Sequence, residues 1–225
     1  MSTECRPLPA EEQSPDPAVD LSARPQAAST SHDTQTAVQI RRLVERGCLE
    51  EARERFSGLV QSQQRRALRI AYQYLRDASD AEEAVQDAFI KSFAHIGSYR
   101  EAWPFEVWFT RILINGCLDR RKARARRERW MLPAGIGMTR ALEAAGRVPA
   151  DQNPEARLLA RERRARIAEA VDRLGGRQRL VFTLCQYGDC TPREVSAITG
   201  LNESTVRVHL FRAARKLRAL LEDQA

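Results

Sequence analysis

Beyond residue 36, apolar residues recur at helical spacing along almost the whole chain, and no stretch alternates as a strand would. Val38, Ile40, Leu43 and Val44 lead to Cys48. Phe56, Leu59, Val60, Leu68, Ile70, Ala71, Tyr74 and Leu75 then follow, and Gly47 predicts a break between two helices. Ser79-Asp80-Ala81-Glu82 has the spacing of a capping box, and Asp80 with Glu83 repeats it one residue later. The helix opened there carries Ala84, Val85, Ala88, Phe89, Ile90 and Phe93. His95 to Pro104 reads as a loop. From Phe105 a long helix shows one stripe of Phe105, Trp108, Phe109 and Ile112, then turns basic after Asn115. Residues 131–156, with three prolines and three glycines, read as a linker. Four further helices are predicted between 157 and the C-terminus. Thr191-Pro192-Arg193-Glu194 is a capping box with proline at the first helical position, Gly200 stops that helix, and Asn202 is placed to cap the last one. A helix, a short glycine turn and a basic second helix make a helix-turn-helix. The expected fold is all-α: two small helical domains, 37–130 and 157–225, joined by the 131–156 linker.

Charge sharpens this picture. Thirty-seven basic residues against 30 acidic ones give a net charge of +7 and a pI near 9.6. The excess sits in the two helical blocks, each at +6, while residues 1–36 carry −4 and five of the ten prolines. That first segment reads as a disordered acidic arm. Two basic blocks point to a polyanionic partner. No apolar run is long enough for a membrane helix and no signal peptide is visible, so the expected location is the cytoplasm.

Catalytic chemistry is hard to find. The five cysteines are scattered; Cys185 and Cys190 are spaced C-x4-C with only His209 nearby in sequence, so reduced thiols are expected and no metal is assigned. The three histidines stand apart, and no phosphate-binding glycine loop or nucleophile–base pair is present. No cofactor is expected.

Four stretches together resemble a known family. Asp80-Ala81-Glu82-Glu83-Ala84-Val85-Gln86-Asp87-Ala88-Phe89-Ile90 is similar to the acidic helix of region 2 in sigma-70 family RNA polymerase sigma factors of the extracytoplasmic-function (ECF) type. Phe105, Trp108, Phe109, Arg111, Ile112, Asn115 and Asp119, followed by arginines, resemble its promoter-facing helix. Asp151, Pro154 and Glu155 resemble the segment before region 4. Leu174 through Arg179, Val181 and Phe182, then Glu194-Val195, Gly200-Leu201, Thr205-Val206-Arg207, Leu210 and Arg212-Ala213, resemble region 4 itself.

The resemblance implies a sigma factor that binds core RNA polymerase, recognises −10 and −35 promoter elements and assists melting, with no catalytic centre of its own. Asp80, Glu83, Gln86, Asp87 and Ile90 would meet the β′ clamp helices, and region 4 the β flap. Tyr99, Arg100, Trp103, Asn115, Asp119, Lys122 and Arg126 would read the −10 element. Asn115, Asp119, Lys122 and Arg126 fall on one helix face, and stacking suits melted bases. Ser204, Thr205, Arg207, Val208, Phe211 and Arg212 would contact the −35 element. Trp103-Pro104 departs from the small residues usual at that position, and Gly175-Gly176 replaces a common proline. An anti-sigma factor is a partner that this type usually has. A stand-alone helix-turn-helix regulator would account for 177–222 but not for the acidic helix or the tryptophan-bearing basic one.

Overall fold

A computed structural model describes residues 31–130 and 154–222, and among them every regular element is helical. The arm as far as residue 30, and 131–153 of the linker, lie outside the described residues. Helix α1 (His32–Glu45) begins inside the stretch read as disordered arm. The Ser31 hydroxyl accepts the Thr34 N–H at 3.1 Å, and the buried Thr34 hydroxyl accepts the Phe105 N–H at 3.0 Å. One residue thus ties the start of α1 to the start of a helix 71 positions away. Gly47, at φ +78°, makes the expected break before α2 (Leu49–Leu75). That helix ends at Arg76 in the left-handed conformation, φ +60°.

Helix α3 (Ala78–Ala94) is capped differently from the expectation. Asp77, not Ser79, is the cap, its carboxylate accepting the Asp80 N–H at 2.8 Å. The left-handed Arg76 has already turned the chain, so α3 starts at once and Ser79 falls inside its first turn. A single 3₁₀ turn (Ile96–Ser98) interrupts the following loop. Helix α4 (Phe105–Trp130) then runs back across α2 and α3. The first block is centred on rings: Phe89 stacks on Phe109 at 4.5 Å, and Phe56 meets Phe89 and Phe93 edge-on. Burying such a ring contributes about 2–3 kcal/mol.

The second block comprises α5 (Pro154–Asp172), α6 (Gly176–Gln186), α7 (Pro192–Thr199) and α8 (Glu203–Glu222). Both bonds of the Thr191/Glu194 capping box form, with Pro192 in the first turn, and Gly200 closes α7 at φ +73°. Helix α5 starts at Pro154, inside the segment read as linker. Its Leu158, Leu159 and Ile167 are exposed; Ala170 and Val171 at its end, and Leu174 just beyond it, pack on Ala213 and Leu217 of α8. The two blocks also touch. A single cluster of buried residues includes Phe56, Ile70 and Phe109 of the first and Leu180, Leu184, Val195 and Val206 of the second.

Candidate nucleic-acid interface

Three surfaces follow from how the helices are laid down. On α3, Ala81, Ala84, Val85, Ala88 and Phe89 face the core, which turns Glu83, Gln86, Asp87 and Ile90 to solvent, with Asp80 half-buried at the edge of the same face. Ile90, a large apolar side chain, is 60% exposed. Arg120 of α4 reaches across to this face: its guanidinium donates to Glu83 at 2.8 Å and to Asp87 at 2.5 Å. Burial alone would lower the Arg120 pKa, but the two carboxylates outweigh it and raise it. Arg120 was not singled out from the sequence, where it is one of seven basic residues in a row of ten; only the helix crossing selects it.

The second surface is α4 and the loop before it. Asn115, Asp119, Lys122 and Arg126 are all exposed on one face, and Lys122 lies 3.8 Å from Asp119. Arg100 and Trp103 border a cavity of about 250 Å³ that Trp108, Arg111, Ile112 and Asn115 also line. Trp108 and Ile112, part of the helix's apolar stripe, are half-buried and share this wall. Tyr99 is placed otherwise than a base-stacking role requires. It is fully buried, 5.3 Å from the Trp108 ring and 5.9 Å from that of Phe105, and its hydroxyl donates to the Trp103 carbonyl at 3.0 Å. Burial pushes its pKa up to about 12. In this conformation Tyr99 presents no ring face to a base and instead fixes the Trp103 backbone.

The third surface is α8. Val206, Ala213 and Leu217 are buried, so Ser204, Arg207, Val208, Phe211 and Arg212 project outward and Thr205 is half-buried. Arg207 pairs with Glu203 one turn back at 2.6 Å. Phe211 is 69% exposed. A helix N-terminus carrying Ser204, with exposed arginines about one and two turns further along, can meet phosphates first and base edges next. Of the cysteines, Cys117 and Cys190 are buried, with pKa values pushed up by burial to about 12 and about 11, and Cys185 is half-buried. No group of three metal-ligating side chains forms among the described residues.

Comparison with known proteins decides the family. The family model Sigma-70 region 2 matches residues 59–127, and Sigma-70, region 4 matches residues 164–217. The RNA polymerase sigma factor CnrH of Cupriavidus metallidurans is 30% identical over 145 residues, covering 64% of this chain and 74% of its own. The ECF RNA polymerase sigma factor SigE of Mycolicibacterium smegmatis is 33% identical over 72% of this chain, which spans 60% of SigE's length.

The chain belongs to the sigma-70 family of RNA polymerase sigma factors, in its ECF branch.

Its fold agrees. The structure of CnrH in complex with the cytosolic domain of CnrY matches with a TM-score of 0.59 at 22% identity, over 86% of this chain and 99% of that one. The sigma factor RpoE, in its complex with the anti-sigma factor NepR from Bartonella quintana, matches with a TM-score of 0.54 at 20% identity, over 73% of this chain and 97% of that one. This sigma factor therefore acts with core RNA polymerase on promoter DNA at transcription initiation and is not itself an enzyme. None of its helices, among the described residues, is long and apolar enough to cross a membrane.

Proposed function

We propose that the three surfaces divide the work of initiation. Glu83, Gln86, Asp87 and Ile90, with Asp80 at the margin, dock on the β′ clamp helices of core polymerase. The exposed face of α4 and the Trp103 loop hold the melted −10 strand, Asn115, Lys122 and Arg126 along its backbone and edges and Trp103 against a base. Asp119 orients Lys122. Arg207 and Arg212 read −35 base edges, Ser204 and Thr205 take phosphates at the start of α8, and Val208 and Phe211 supply apolar contact in the groove. Residues 37–130 and 157–225 serve as the two functional units and 131–156 as the tether between them, with region 4 also meeting the β flap.

The observation that carries this reading is the clean segregation of faces. The same helices that bury their apolar stripes expose an acidic patch on α3 and basic ones on α4 and α8. An anti-sigma factor is a further partner, supported by the structural relative RpoE, whose complex holds the anti-sigma factor NepR, and the cytoplasm is where all of these partners meet the chain. Run-off transcription by reconstituted holoenzyme on a promoter library with randomised −10 and −35 elements tests the assignment. Lys122→Ala and Arg126→Ala should alter use of −10 variants, and Arg207→Ala and Arg212→Ala use of −35 variants. If the α4 and α8 variants affect both elements equally, the division is wrong.

A further inference from the structure

We propose that α1 is a clamp that sets the shape of the −10 reading loop, with Arg41 and Thr34 as positioning residues for the bases read there. The inference rests on the assignment of that loop to −10 recognition.

The region 2 match begins at residue 59, so α1 stands outside it. The helix nevertheless reaches both ends of the loop. At the near end Arg41 Nη1 donates to the Tyr99 carbonyl at 2.8 Å, and Nη2 pairs with Glu101 at 3.3 Å. At the far end the buried Thr34 hydroxyl accepts the Phe105 N–H at 3.0 Å. Phe105 opens α4, so this amide is one of the donors that a helix start leaves without an intrahelical partner. Thr34 and Arg41 stand roughly two turns apart on one helix, about 10 Å along its axis, so a single rigid element grips both anchors. Between the anchors the Tyr99 hydroxyl donates to the Trp103 carbonyl at 3.0 Å and closes the loop on itself.

The result is a division that suits recognition. Tyr99 and Phe105, where α1 holds the backbone, are fully buried, whereas Arg100 and Glu101 are exposed and Trp103 is half-buried. A loop ordered beforehand loses less freedom when a base docks and so binds it more tightly. The near anchor is doubly held, because Arg100 also donates to the Tyr99 carbonyl, at 3.1 Å. Charge matters there as well. Glu101 is the only acidic side chain between Tyr99 and Phe105, and a strand of phosphates would be repelled by it. Arg41 beside it offsets that repulsion. The Arg41 side chain is 17% exposed against 52% for Glu101, so the fork is fixed and the carboxylate comes to it. A lysine at this position would keep the charge but lose the planar fork that serves carbonyl and carboxylate together.

Holoenzyme reconstituted from the full-length chain tests this. The readouts are binding of a labelled single-stranded −10 oligonucleotide and run-off transcription from the randomised promoter library. Arg41→Ala and Thr34→Val should each weaken oligonucleotide binding roughly tenfold, as for a loop that holds its reading shape about one part in ten. In the library their base preference should flatten at −10 positions and stay as in wild type at −35 positions. Thr34→Ser restores the hydroxyl and should bind as wild type does, and Arg41→Lys should fall between wild type and Arg41→Ala. Arg55→Ala is the control: Arg55 of α2 also holds α1, through an exposed contact to Gln39 at 2.6 Å, on another side of the helix from Arg41. It should leave −10 preference unchanged. Folded Arg41→Ala and Thr34→Val chains with the wild-type −10 profile overturn the clamp. So does an even loss at −10 and −35 positions shared with Arg55→Ala, which marks α1 as a general support. If the alanine variant does not fold, Arg41→Lys decides, and an unchanged −10 profile there overturns the clamp. Trp103→Ala keeps the two failures apart. If it weakens −10 binding while the α1 variants do not, the reading of the loop stands and the clamp falls. If it binds as wild type does, the reading falls and the clamp with it.

Discussion

The acidic face of α3 is held in place by Arg120, and that arrangement makes opposite substitutions separable. Asp87 is 51% and Glu83 61% exposed at the side chain, against 26% for Arg120. In a half-solvated pair the Coulomb attraction is largely screened, so each carboxylate contributes about 0.2–1 kcal/mol to the fold. Asp87→Lys therefore should cost the fold no more than about 1–2 kcal/mol, the lost pair plus repulsion of Arg120, a fall of about 2–6 °C in melting temperature. Its effect on core polymerase should be larger. Reversing a charge aimed at a complementary partner costs at least about 1.4 kcal/mol, a tenfold weaker complex. Arg120→Ala frees both carboxylates: the fold should lose about 1–2 kcal/mol, but polymerase affinity should hold or rise. Competition against a fluorescent sigma factor for core polymerase measures the affinities, and thermal unfolding by circular dichroism the fold. Polymerase affinity that simply tracks stability across Asp87→Lys and Arg120→Ala would refute the reasoning, because the face would then act only through the fold.

Other expectations are equally open to measurement. Arg207→Ala or Arg212→Ala should reduce promoter use by about 1–3 kcal/mol where the arginine reads a guanine, and footprints on altered −35 bases should show the loss confined to one base position rather than uniform as for a phosphate contact. Thr191→Ala removes the side-chain half of the α7 capping box and should cost about 1 kcal/mol in urea unfolding, with Thr191→Ser recovering most of it. Stability should also be alkali-sensitive. Burial raises Tyr99 and Cys117 to about 12 and Cys190 to about 11, so their neutral forms favour the folded state below the unfolded pKa values near 9–10, and that contribution is lost as pH rises from there towards 11–12. Urea titrations at pH 8 and 10.5 should show the drop, and Cys117→Ala should lessen it.

Much of this molecule was legible in one dimension because its signals are local. The Thr191–Glu194 box, the Gly200 stop and the break at Gly47 each depend on a few consecutive residues, and each forms as read. The surface faces of α3, α4 and α8 follow from spacing alone, since burying one stripe of a helix leaves the others in water. Where neighbouring signals competed, the sequence misled. Asp77 outranks Ser79 as cap because Arg76 turns the chain first, and α1 starts at His32 because Thr34 is satisfied by a backbone amide near residue 105.

What only the tertiary structure decided is which side chains meet across long separations. Tyr99, an aromatic in a loop, carries no mark in sequence of whether its ring will stack on a base or be swallowed by Phe105 and Trp108. Arg66, Arg69 and Arg76 lie along a helix whose polar side reads as solvated, yet each finds acceptors more than 90 residues away. Leu158, Leu159 and Ile167 have helical spacing yet stay exposed, while the described core contacts of α5 with α8 lie near its end. Periodicity determines which side of a helix avoids water. It does not determine what that side touches, since contact depends on where another helix happens to cross, and a crossing is a property of the whole chain.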